Sequence, residues 1–177
     1  MIVYFLRHAN AGQKRANAAR DEKRPLDKEG VEQSRYIGRL LAALEIEVDA
    51  IVSSPLRRAT QTAALVANEI GYERKIEIDA AMRPNAAIES FRNLLERRRH
   101  DDALMVVGHN PSISRFLSAL VTAGENEEGI AMKKGSIAKV ELKGMRSGIL
   151  TWCVTPRIAR ALYEAAKASS TPKTSRK

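Results

Sequence analysis

The chain has 177 residues, 44% of them hydrophobic, with 30 lysines and arginines against 21 aspartates and glutamates, a formal charge of +9. That length suits one domain with a full core and leaves two domains cramped. No apolar run approaches the roughly 20 residues that span a bilayer, the first ten residues lack the basic start and long apolar centre of a signal peptide, and the single cysteine, Cys153, excludes an intramolecular disulfide. A soluble, cytoplasmic protein is expected.

In chain order, Ile2 to Leu6 is an apolar run of buried-strand length followed directly by Arg7-His8. Ala11 to Arg24 is too rich in Arg, Asn and Gln for a core helix and reads as a flexible flap or partly helical loop. Asp27 is a plausible N-cap for a helix over Lys28 to Leu44, where Val31, Ile37, Leu40, Leu41 and Leu44 fall close to one face. A second strand is predicted at Asp49 to Ser53, a helix at Leu56 to Ile70 ended by Gly71, and a short strand at Lys75 to Ile78. A third helix spans Ala86 to Arg99. Ala103 to Val107 is the next strand, and Gly108-His109-Asn110-Pro111 follows it at the start of a helix that runs to Val121. Ser136 to Leu142 and Ile149 to Val154 read as a hairpin, with Cys153 as a buried structural thiol. A last helix, Pro156 to Ala168, precedes a Ser/Thr/Pro/Lys-rich basic tail at 169–177, expected to be disordered. Short apolar runs alternating with amphipathic stretches indicate an α/β fold: a three-layer α/β/α sandwich around a mostly parallel sheet.

The positive charge invites a nucleic-acid reading, but its placement argues against one. Lys167, Lys173, Arg176 and Lys177 belong to the end of the chain, and Arg97-Arg98-Arg99 ends a helix, where cations offset the negative end of the dipole. Neither nucleic acid nor membrane is expected as a partner. An acidic protein or a phosphorylated substrate would use the same excess.

The two Arg/His-bearing loops follow strand ends, the edge of an open α/β sheet at which ligands bind. Two histidines with cationic neighbours at one edge suit a phosphoryl group. In this reading His8 is the nucleophile, its neutral imidazole attacking phosphorus to leave phosphohistidine on the enzyme. Arg7 and Arg58 supply planar bidentate donors, and His109 supplies a further hydrogen bond. Arg57 and Arg58 oppose the dipole at a helix start, a conflict that favours a functional role. His100, in a polar loop, is expected to be merely exposed. The histidines lack metal-ligand spacing and there is no Walker-type loop, so neither metal nor organic cofactor is expected.

Together, LRHAN at Leu6 to Asn10, SPLRRATQTA at Ser54 to Ala63 and VVGHNPSIS at Val106 to Ser114 resemble the three motifs of the histidine phosphatase superfamily, the phosphoglycerate mutase-like branch 1. RPLDKEG at Arg24 to Gly30, GSIAKVEL at Gly135 to Leu142, and Trp152 with Thr155-Pro156 are similar to the SixA-type phosphohistidine phosphatases within it. The resemblance implies a single phosphoglycerate mutase-like domain over 1–168 and makes Arg58, not Arg57, the pocket arginine. Two departures stand out near His8. Ala9 replaces the family glycine, a change compatible with a backbone that avoids positive φ. Asn10, counted among the substrate-binding residues, stands where an acidic residue is common, which counts against a part in leaving-group chemistry.

A third departure bears on substrate. Relatives that act on phosphate esters place a Glu or Asp near Ala81 to Asn85 as general acid, and none is present; Glu89 reaches the pocket only if its helix bends inward. An alkoxide leaving group needs that proton, whereas imidazole leaving a ring-protonated phosphohistidine departs neutral. The expectation is therefore hydrolysis of phosphohistidine on a phosphotransfer protein. A small-molecule phosphomonoesterase of the same superfamily and a non-catalytic phosphate-binding module are the alternatives.

Overall fold

A computed structural model of the chain describes residues 1–122 and 129–170. Six strands, β1 (Ile2–Arg7), β2 (Ala50–Ser53), β3 (Glu77–Ile78), β4 (Ala103–Gly108), β5 (Ile137–Leu142) and β6 (Gly148–Val154), form one sheet in the order β3-β2-β4-β1-β5-β6. The first four of that order run parallel; β5 is antiparallel to β1, and β6 to β5.

The central strands are apolar on both faces because helices cover both faces. Successive side chains point to opposite sides, so Val3 and Phe5 of β1 join Leu104 and Val106 of β4 in one core, while Tyr4 and Leu6 join Met105 and Val107 in the other. Phe91, Leu94 and Leu95 of α4 (Ile88–Arg97) and Ile113, Phe116 and Leu117 of α5 (Ser112–Val121) close the first core. Ile37 and Leu41 of α2 (Lys28–Ala43), Ala59, Ala63 and Val66 of α3 (Arg57–Glu69), and Ala159 of α6 (Pro156–Ser170) close the second. This is the expected three-layer architecture. Asp27 caps α2 as expected, its carboxylate accepting from the Gly30 N–H at 2.8 Å.

The polar stretch after β1 is partly helical, one of its two expected forms, and holds the short helix α1 (Ala18–Glu22), capped by the Asn17 side chain. Three local expectations change. Leu44 lies beyond the last turn of α2 and is 52% exposed, so the apolar face of that helix ends at Leu41. Cys153 is exposed rather than buried. Its strand, β6, is the sheet edge, and a bulge opposite Lys139/Val140 rotates the strand between Leu150, which packs on one core, and Trp152, which packs on the other. The alternate positions Ile149, Thr151 and Cys153 face solvent. The last helix runs two residues further than predicted, to Ser170, and the rest of the basic tail lies outside the described residues. Among the described residues no helix is long and apolar enough to cross a membrane.

Candidate active site

The parallel register delivers the chemistry. β1 and β4 pair with Arg7 opposite Gly108, and β2 pairs with β4 through Ser53 opposite Val107. The ladder continues one step past the strands: the His8 N–H donates to the Gly108 carbonyl at 3.0 Å and the Ser54 N–H to Val107 at 2.9 Å. Three strand ends thus place His8, His109 and Ser54 side by side. The two imidazole centroids lie 4.7 Å apart, and His109 Nε2 is 2.8 Å from Ser54 Oγ. Gly108 allows this turn, since a Cβ there would lie 2.9 Å from Met82 Cε and 3.2 Å from the Met82 carbonyl oxygen.

His8 Nδ1 is 2.7 Å from the Ala9 carbonyl oxygen. A carbonyl only accepts, so Nδ1 carries the proton and Nε2 the lone pair. Burial pulls the His8 pKa down to about 3, with the Arg58 and Arg7 charges adding to the effect, and burial beside His8 pulls His109 down to about 2. Both rings are neutral at pH 7. Ala9 is fully buried and its N–H donates to Thr62 Oγ1 at 3.1 Å; it does not adopt positive φ, which accounts for alanine in place of the family glycine.

Arg7 and Arg58 flank the rings. Arg7 Nη1 donates to the Met132 carbonyl at 2.7 Å; Arg58 Nη1 donates to the Asp21 carbonyl at 2.9 Å and the Asp21 carboxylate at 3.3 Å. Burial lowers both arginine pKa values from their ordinary range, yet a guanidinium stays charged at neutral pH. Arg57, the neighbour in sequence, is exposed while Arg58 is buried. Arg7 Nε, Arg58 Nε and His109 Nδ1 are buried without a hydrogen-bond partner among the described residues. Each residue lines one cleft of about 600 Å³, so unmet hydrogen-bonding capacity and positive charge meet at one place. Such a site suits an anion.

The segment after β1 and three later loops supply residues that the sequence did not single out. Asp21, Glu22, Arg24, Arg83, Asn110 and Lys134 line the same cleft. Arg24 donates through Nε to Asp21 at 2.8 Å and through Nη1 to the Ala11 carbonyl at 2.7 Å, and Asp21 also pairs with Arg58. The Arg24 hydrogen bond chiefly holds the Asp21 pKa at about 2. Glu22 is paired with Arg83 at 2.7 Å, which lowers its pKa as well. Both cleft carboxylates are ionised. Glu89 does not line the cleft: it is exposed and bound to Arg92. Asn10 does not line it either. Its amide donates to Asp27 and Glu29 and its oxygen accepts from Lys134 Nζ at 2.8 Å, so the side chain orients Lys134 instead of facing the cleft. His100 is exposed, as expected. Among the described residues no group of His, Cys, Asp and Glu is arranged to hold a metal ion.

The model of the histidine phosphatase superfamily (branch 1) matches residues 3–86, the segment holding Arg7, His8 and Arg58. An uncharacterized protein of Picosynechococcus sp. is 32% identical over 84% of this chain and 86% of its own length. The chain belongs to the histidine phosphatase superfamily. Within that superfamily, the phosphohistidine phosphatase SixA of Escherichia coli is 25% identical over 92% of this chain and the whole of its own length. The structure of the protein histidine phosphatase SixA complexed with tungstate superimposes with a TM-score of 0.79, covering 89% of this chain and 98% of that one, at 23% identity. The chain is thus a SixA-like phosphatase of this superfamily, with its fold.

Proposed function

We propose that this phosphatase hydrolyses phosphohistidine carried on a protein, through a covalent phosphohistidine on His8, without a metal ion. The observation that carries the reading is the charge state of the cleft: its two carboxylates, Asp21 and Glu22, are held ionised by Arg24 and Arg83. Neither has a proton to give to a departing alkoxide. A ring-protonated phosphohistidine needs none, because its imidazole leaves neutral. The likeness to Escherichia coli SixA supports the same substrate class.

In the first step the His8 Nε2 lone pair attacks phosphorus in line with the substrate's P–N bond; the new N–P bond forms as the old one breaks, and neutral imidazole leaves with the electron pair. In the second step water attacks phosphorus, the His8 N–P bond breaks, and both protons of the water depart with inorganic phosphate. The phosphoryl oxygens stay anionic throughout, and Arg7, Arg58 and the His109 ring stabilise them as preorganised donors. With an anion bound, the His109 proton sits on Nδ1, the atom without a hydrogen-bond partner among the described residues, and Ser54 Oγ, 2.8 Å from Nε2, then donates to that nitrogen.

The test compares wild type with His8→Ala on a phosphohistidyl phosphotransfer protein and on a panel of sugar, glycerate and aryl phosphates, with chelator throughout. Preferred turnover of the phosphoprotein, with a trapped phosphoenzyme that His8→Ala abolishes, is expected. Preference for a phosphate ester would instead assign Glu22, which already lines the cleft, to leaving-group protonation, and loss of activity with chelator would overturn the metal-independent route. Binding without turnover on any substrate would leave a phosphate-binding module.

A further inference from the structure

Beside the catalytic cleft lies a second hollow of about 440 Å³, walled by Arg7, Lys133, Lys134 and Arg157 with Gln33, and holding no carboxylate. It shares Arg7 and Lys134 with the cleft. Lys133, Lys134 and Arg157 are exposed and have no carboxylate partner among the described residues; Lys134 is bound only by the neutral Asn10 amide. The carboxylates of Asp27 and Glu29 are turned to Asn10, and that of Glu29 to Gln33 as well. The adjoining hollow, which shares Gln33, Pro156 and Arg157 with this one, is mixed in charge, with Glu29 and Glu32 beside Arg157 and Arg160.

These cations are held in a defined place. Gly135, at φ +70°, donates its N–H to the Arg7 and His8 carbonyls at 3.1 Å each, and a Cβ there would lie 2.8 Å from Pro156 Cγ. The preceding Met132 is buried and its carbonyl accepts from both Arg7 and Asn110. Lys133 and Lys134 therefore ride on a loop tied to the strand end that bears the nucleophile. A phosphoryl dianion is matched by the two cleft guanidinium groups, the half-buried Arg7 and the buried Arg58, so the basic surface outside them addresses other charge. Exposed, spaced cations on an open face suit solvated carboxylates. Lysine also binds phosphate as a point charge, so a second phosphate is the competing occupant that the test distinguishes.

We propose that this basic hollow docks carboxylates on the surface of the protein that carries the phosphohistidine, setting its orientation before transfer. The proposal rests on the substrate reading above, and its test separates the two. Lys133→Glu/Arg157→Glu changes two exposed residues that do not line the catalytic cleft. For an acidic phosphohistidyl phosphotransfer protein at low salt, the double variant is expected to raise KM about tenfold with kcat retained, and added salt should close the gap. Turnover of p-nitrophenyl phosphate should be unchanged. Equal KM for wild type and variant would overturn the docking role, as would parallel losses on both substrates.

A binding arm does not depend on turnover: fluorescence anisotropy of a labelled Glu-rich peptide against both proteins. About tenfold weaker binding by the variant supports the inference even if wild type proves inactive on phosphohistidine, a result that would sink the substrate reading alone. Equal binding by wild type and variant overturns it. So does a loss of single-stranded oligonucleotide or pyrophosphate affinity in the double variant larger than the loss for the peptide, because the hollow would then serve nucleic acid or a second phosphate.

Discussion

Ser54 Oγ lies 2.8 Å from His109 Nε2 on the loop that follows the neighbouring strand, and it is the hydrogen-bond partner of that ring. Because a hydroxyl both donates and accepts, Ser54 serves Nε2 in either tautomer, and an anion against Nδ1 selects the one with the proton on Nδ1 and Ser54 donating to Nε2. Ser54→Ala leaves Nε2 buried and unpaired and frees the ring to exchange tautomers. Leaving a buried polar group unsatisfied costs about 1 to 3 kcal/mol, and the loss should fall on kcat/KM, on the order of tenfold to a hundredfold. Steady-state kinetics beside urea unfolding would check this; an unchanged kcat/KM in a folded variant removes Ser54 from the mechanism.

The buried imidazoles also predict acid sensitivity. Folding lowers the His8 pKa to about 3 and the His109 pKa to about 2, from about 6.5 in an unfolded chain. Between those values the unfolded chain binds more protons, so stability rises with pH and is lost as pH falls below 6.5. Each histidine contributes up to about 1.4 kcal/mol per pH unit over its window. Asp21, depressed to about 2, adds stability that is present above its unfolded value and lost as pH falls further, through the folded value. Urea unfolding at pH 7, 6 and 5 should show the decline, and His8→Ala/His109→Ala should flatten it. A flat wild-type profile would mean the rings are not held neutral.

Much of this site can be read from the sequence because its parts are local. An apolar run followed by Arg7-His8, a second followed by Gly108-His109, and a motif register choosing Arg58 over Arg57 all depend on neighbours in the chain, and parallel pairing brings them together. Asp21, Glu22 and Arg24 are not legible in this way because their segment is polar and mostly exposed, and its order comes from long-range contacts to Arg58 and Arg83. The position of Asn10 beside His8 points to the substrate; three polar partners from α2 and the Lys134 loop claim its side chain instead. The exposure of Cys153 follows from a bulge and an edge position, neither of which an apolar run announces.

Asp21 is the junction between the early segment and the phosphoryl pocket, binding Arg24 and Arg58 with one carboxylate. Asp21→Asn keeps the shape but removes the charge that both guanidinium groups face. Arg58 then loses its ionic anchor, and placement of a pocket donor is worth about 2 to 4 kcal/mol in the transition state when lost outright. A partial loss is expected: kcat/KM reduced, with Arg58→Ala/Asp21→Asn no worse than Arg58→Ala alone. Additive losses in that double-mutant cycle would show that Asp21 acts independently of Arg58.

Gly30, in the first turn of α2, marks where the helix meets the loop after His8. A Cβ there would stand 1.9 Å from the Asn10 carbonyl oxygen and 2.8 Å from its carbon, so alanine must displace backbone. That backbone is continuous with Ala9, whose carbonyl holds His8 Nδ1. Overpacking of this kind costs about 1 to 3 kcal/mol, and Gly30→Ala should lower stability and kcat/KM together. Gly71→Ala is the matching control. Gly71 has φ +68° and open space around it, with nothing within 4 Å of the point where a Cβ would stand, so alanine should cost about 1 kcal/mol of backbone strain and leave kcat/KM untouched. Thermal unfolding and kinetics on the two variants would show the contrast, and full activity in Gly30→Ala would mean that the His8 loop tolerates the displacement.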